Sequence, residues 1–118
     1  MKLVIFGGRT FNNSELMADV LTELNSRGII PDDVELVCGM ARGADITAYK
    51  LFKNTCNKVH EYPADWDGLG KRAGYARNTE MAKFAEMGLA FWDLKSKGTK
   101  HMIDTMDRLG KTCYVVRY

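Results

Sequence analysis

The sequence predicts a Rossmann-like α/β domain: a five-stranded parallel sheet with helices on both faces. Three observations carry the prediction. Short apolar runs alternate with segments of helical periodicity along the whole chain. No hairpin signal joins any two of the runs, so consecutive strands need helical crossovers, which are right-handed in parallel sheets. Each strand-to-helix turn combines glycine with polar or basic residues, as at Gly7-Gly8-Arg9.

Leu3-Val4-Ile5-Phe6 is a continuous apolar run and reads as a strand buried on both faces. Asn12, Asn13 and Ser14 offer helix caps, and Leu16, Met17, Val20, Leu21 and Leu24 recur at helical spacing until Gly28. Val34 to Cys38 is the second strand. The turn Gly39 to Gly43 follows, and Asp45 opens a helix with Ala44, Ala48, Leu51 and Phe52 inward. Lys58 to Tyr62 is a weaker third strand, ended by Pro63. Ala64 to Asn78 is then a long loop rich in Gly, Asp, Arg and Lys. It runs into a helix whose inward face is Arg77, Met81, Phe84 and Ala85. Met87 to Trp92 is the fourth strand. The last helix turns Met102, Ile103, Met106 and Leu109 inward and stops at Gly110, and Thr112 to Val116 is the fifth strand.

Residues 1–118 are long enough for one continuous core and form one domain. The 46% hydrophobic and 27% charged fractions are those of a globular protein. No apolar run approaches the roughly 20 residues of a membrane span, and the N-terminal apolar run is too short for a secretory signal. Cys38, Cys56 and Cys113 are an odd number at wide spacings. They fit a reducing cytoplasm better than a disulfide framework, and nothing suggests a metal site. A net charge of +2 is too small to argue for a nucleic-acid or membrane surface.

In open parallel sheets, ligands bind outside the carboxyl ends of the strands. Gly7, Gly8 and Arg9 follow the first strand, and Gly39, Arg42, Gly43 and Asp45 the second. Asp65, Trp66, Lys71, Arg77 and Asn78 follow the third, and Asp93, Ser96, Lys97, Gly98 and Thr99 the fourth. All fall on one rim, whereas Gly110-Lys111 and the other turns opposite read as plain turn chemistry. Glycines allow close backbone approach, and helix N-termini suit anions. Gly98-Thr99 is the best phosphate seat, with the Thr99 hydroxyl as an extra donor, and Gly39 to Gly43 is the second. Neither is a P-loop or a G-x-G-x-x-G fingerprint. Arg77 lies four residues before Met81 on the inward face, so an anion or a carboxylate must satisfy it. The carboxylate would be Asp65, Glu80 or Asp93. Trp92 reads as core, while Trp66 could stack on a base or pack. His60, within a strand, and His101, on the outer side of a helix, are neither bases nor metal ligands.

Gly7-Gly8-Arg9-Thr10-Phe11, Gly39-Met40-Ala41-Arg42-Gly43-Ala44-Asp45, Pro63-Ala64-Asp65-Trp66, Arg77-Asn78 with Met81, and Ser96-Lys97-Gly98-Thr99 with Met102 occur in this order. The series resembles the YspA, or cpYpsA-related, branch of the SLOG superfamily over nearly the whole chain. The resemblance implies a Rossmannoid domain that binds nucleotides or nucleotide-derived ligands such as ADP-ribose-like molecules, often as a homo-oligomer, in bacteria and their phages. The related LOG phosphoribohydrolases cleave nucleotide N-glycosidic bonds with Pro-Gly-Gly-x-Gly-Thr-x-x-Glu and an upstream Arg. This chain keeps Gly98-Thr99 and Arg77 but has Met102 at the Glu position. Hydrolysis would therefore need a carboxylate from Asp93, Glu80 or Asp45, acting with Arg77. The chain resembles the DNA-processing DprA fold more distantly.

Three readings follow, in this order. The first is a module that binds a nucleotide-type small molecule, with no further cofactor or metal. The second is a hydrolase or transferase acting on a nucleotide. A nucleic-acid-binding protein ranks last, because the net charge is small.

Overall fold

Strand β1 (Lys2–Gly7) lies at the centre of the sheet because its apolar run leaves no face to give to water: Leu3, Val4 and Ile5 are fully buried. β2 (Glu35–Cys38) and β3 (Val59–Glu61) follow on one side of it, β4 (Met87–Trp92) and β5 (Cys113–Arg117) on the other. The order is β3-β2-β1-β4-β5 and every pairing is parallel, so the fold is Rossmann-like. This computed structural model describes residues 1–118, the side chain of Lys71 excepted.

Alternation along the strands divides the core in two. Leu3, Ile5, Leu36, Cys38, Leu89 and Phe91 point to the face covered by α1 (Ser14–Ser26) and α2 (Ala44–Phe52). Val4, Phe6, Val37 and Ala90 point to the face covered by α4 (Ala73–Phe84) and α5 (Lys97–Arg108). Gly88 leaves room on this second face, since a Cβ there would lie 3.2 Å from Met106 Cε. Asn13 caps α1, its Oδ1 accepting from the Leu16 N–H at 3.0 Å.

Three expectations need correction. Ala64 to Asn78 is not a loop: it folds as a short helix α3 (Trp66–Leu69), a 3₁₀ turn (Gly70–Arg72) and the first turns of α4. The Asp65 carboxylate caps α3 by accepting from Gly68 N–H at 2.9 Å, so one cap outweighed the glycines that suggested a loop. Leu109 sits just past the end of α5 and is exposed rather than inward. Lys111 is more than turn chemistry. Its ammonium donates to the carbonyls of Ala82, Lys83 and Ala85 at 2.8, 2.9 and 2.7 Å, satisfying the end of α4. No helix among the described residues is long and apolar enough to cross a membrane.

Candidate functional site

Strand order reverses at β1, whose two neighbours are β2 and β4. A cavity of about 480 Å³ opens there, beyond the carboxyl ends of the strands. It is walled by Gly7 and Arg9 at and after the end of β1, Ala41 and Asp45 after β2, Arg77 and Asn78 from α4, and Asp93, Ser96, Gly98 and Thr99 after β4.

The glycines mostly serve the protein rather than a ligand. Gly43 has φ +93°, and a Cβ on it would overlap the Gly8 carbonyl oxygen. The Gly8 carbonyl accepts from Ala44 N–H at 3.2 Å, which locks the first two rim turns together. A Cβ on Gly7 would lie 2.9 Å from that of Ala44, and one on Gly8 would strike the Tyr118 hydroxyl. Gly39 is bare so that two side chains can pass: a Cβ there would lie 2.6 Å from Arg77 Nη1 and 2.7 Å from Asp45 Oδ2. Gly98 alone of these faces open space.

Arg77 is half-buried and none of the three expected carboxylates meets it. Its Nη1 donates to the Gly39 carbonyl and, at 3.4 Å, to that of Tyr62, both just past strand ends. Its Nε donates to Asn78 Oδ1 at 3.1 Å, and Asn78 Nδ2 donates to the Gly98 carbonyl at 3.3 Å. Arg77 and Asn78 thus tie the ends of β2 and β3 to the start of α5. Burial lowers the Arg77 pKa, and Asp45 opposes that.

Asp45 is the unusual carboxylate. It is 4% exposed, at the first turn of α2, and burial raises its pKa to about 6 against the pull of Arg77 and the Ala41 N–H. Asp93 is the opposite case. Its Oδ1 accepts from the N–H groups of Lys95 and Ser96 at 2.9 and 2.8 Å, which lowers its pKa and shapes the turn into α5. Glu80 is exposed and does not line the cavity, because it sits about 100° round α4 from the inward Met81. Of the suggested acid-base residues, Asp45 alone combines a place in the cavity with a pKa near neutrality.

The Thr99 hydroxyl is buried at the cavity wall, 2.9 Å from Ser96 Oγ, and either oxygen of that pair can donate to the other. Ser96 Oγ also accepts from Thr99 N–H and caps α5. Arg42 and Lys97 are exposed and lie outside the cavity wall, as does Asp65. Trp66 is 52% exposed and lines the cavity. The proposed contact of Lys71 lies outside the described residues. Trp92 is only half-buried, its indole N–H donating to the Ser96 carbonyl at 3.1 Å. His101 is not on an outer face but half-buried, with its ring 4.4 Å from that of Tyr75.

Tyr75 is the residue that sequence reasoning missed. It is 46% exposed and lines the cavity beside Gly74, with Trp66 across from that glycine. Reading residues 64–78 as a loop hid it; an aromatic three positions before Asn78, and so on the same face of a helix, was the available signal. Among the described residues, no group of three or more His, Cys, Asp or Glu could hold a metal.

Fold and cleft together define a Rossmann-like domain with a polar, aromatic-walled cavity at the switch point of its sheet. The chain is 32% identical over 115 residues to the Gene 61 protein of Mycobacterium phage D29, covering 92% of this chain and 90% of that one. It belongs to the family of that phage protein. No family model matches the chain. DNA processing protein A from Helicobacter pylori, described by its single-stranded DNA binding mode, has a similar structure at a TM-score of 0.67 and 19% identity. The match covers 98% of this chain and 64% of that one, so the chain spans less than two thirds of its length.

The order of partners drawn from the sequence is corrected here. A nucleotide-type small molecule stood first and nucleic acid last, yet the likeness in fold is to a protein that binds single-stranded DNA. The physical fault lay in using net charge, which averages the whole surface. Arg9, Arg42, Lys95 and Lys97 are exposed on the turns at this end of the sheet, so the charge there differs from the average over the whole surface.

Proposed function

We propose that this chain binds single-stranded nucleic acid across the carboxyl rim of its sheet, with one nucleotide seated in the cavity. The pair of half-exposed aromatics, Trp66 and Tyr75, on the wall of a cavity that Arg9 and Arg77 also line carries the reading. Large aromatic faces left open to water cost free energy, and unstacked bases cover such faces without regard to sequence. Exposed Arg9, Arg72 and Lys97 supply the charges that a phosphate backbone follows. The fold likeness to a single-stranded DNA-binding protein supports the same reading. We place the chain in the YspA branch of the SLOG superfamily and in the cytoplasm on the motifs and cysteine usage described above.

Fluorescence anisotropy with a labelled single-stranded oligonucleotide tests the proposal. The wild type should bind at low salt, and Trp66→Ala and Tyr75→Ala should each weaken binding by about 1–3 kcal/mol. Both side chains are half-exposed, so the circular dichroism of the variants should match the wild type. Absence of binding at low salt, or binding indifferent to both substitutions, refutes the reading.

A further inference from the structure

We propose that Asp45 selects the base that enters the cavity, and that the base is guanine. The inference rests on the reading of the cavity as the seat of one nucleotide in a strand. Asp45 lines the cavity, yet it is 4% exposed, so its carboxylate is almost wholly withdrawn from bulk water. Oδ2 accepts one hydrogen bond, from the Ala41 N–H at 3.3 Å, and among the described residues no group donates to Oδ1. Arg77 attracts it but forms no ion pair with it, and its Nη1 donates to the carbonyls of Gly39 and Tyr62.

An ionised carboxylate can accept about four hydrogen bonds. An acceptor this nearly buried and held so far below that capacity gains from a donor that enters the cavity, and its slight remaining exposure leaves it open to one. A phosphate cannot do so, because it brings acceptors and negative charge. The group that meets Asp45 must therefore be a donor, which assigns this wall to a base and leaves the phosphates to the exposed cations of the rim. Guanine presents two adjacent donors, N1–H and the N2 amino group, with no acceptor between them. Adenine and cytosine present one amino group beside an acceptor ring nitrogen, which the carboxylate repels. Thymine offers a single N3–H between two carbonyl oxygens. Guanine is thus the base whose edge gives Asp45 two donors at once, while Trp66 and Tyr75 offer their faces to its ring.

The test uses short oligothymidylates carrying one guanine, hypoxanthine, adenine or cytosine at the centre, with wild type and Asp45→Asn compared by anisotropy. Hypoxanthine keeps N1–H and lacks only the amino group, so it isolates one hydrogen bond to a charged acceptor. The wild type should bind the guanine strand about ten-fold more tightly than the hypoxanthine or adenine strand. Asp45→Asn should bring all four within about three-fold of one another. The wild-type series carries the test by itself if the variant does not fold. Equal binding of all four strands by the wild type overturns this inference and leaves strand binding intact. Binding of none overturns both.

Discussion

Asp45→Asn should make the protein more stable at neutral pH, not less. Burial holds the Asp45 carboxyl at about 6 rather than its ordinary 3.8, even with Arg77 nearby. The folded state therefore binds this proton more tightly than the unfolded state does. Stability is at its fullest below about pH 4 and falls as pH rises through 6. Keeping the carboxylate ionised in the fold costs about 3 kcal/mol at the upper limit. The neighbouring Cys38 thiol, raised to about 12, stays neutral throughout this window. An asparagine keeps an acceptor for the Ala41 N–H and removes the buried charge. Urea denaturation at about pH 7.5 should show a gain of about 1–3 kcal/mol, shrinking through pH 6 and absent near pH 4. A variant less stable than wild type at neutral pH, by an amount that shrinks as the carboxyl is protonated at lower pH, would show that Asp45 is a structural counter-ion of Arg77. The reasoning about the cavity would then fall. A gain in stability with a loss of base discrimination is the signature of a group retained for binding.

Three further outcomes follow from the geometry. Arg9→Ala should weaken strand binding for all sequences and reduce the slope of log affinity against log salt by about 0.7, measured between roughly 50 and 200 mM salt; an unchanged slope would remove Arg9 from the phosphate contacts. Gly43→Ala must strain a backbone at φ +93° and press on the Gly8 carbonyl, so it should cost more than about 2 kcal/mol in chemical denaturation, and a neutral result would contradict the locked rim turns. Lys111→Met keeps the aliphatic stem but releases three carbonyls at the end of α4. It should cost about 1–2 kcal/mol, with faster amide exchange in the last turn of α4 as the local readout.

The sequence by itself determined the type and order of the main elements, because apolar period and caps are local properties of the chain. Leu3 to Phe6 could only be a strand buried on both faces, and Asn13 marked where α1 begins. The rule that ligands sit at strand carboxyl ends then placed Arg77, Asp93 and Gly98 on one rim before any distance was known. Glycine-rich composition hid α3 and the first turns of α4, and with them Tyr75. What each rim residue does was decided only by the tertiary structure. Arg77 finds its acceptor on Gly39, 38 positions away, and Gly43 is bare for the sake of Gly8, in another turn. Asp45 and Asp93 are the same residue in sequence. One is desolvated between α2 and the end of β2, while the other accepts two backbone N–H groups at the surface, so their pKa values move in opposite directions. Desolvation and hydrogen-bond partners are set by what packs around a side chain, and the strand order β3-β2-β1-β4-β5 alone brought those neighbours together.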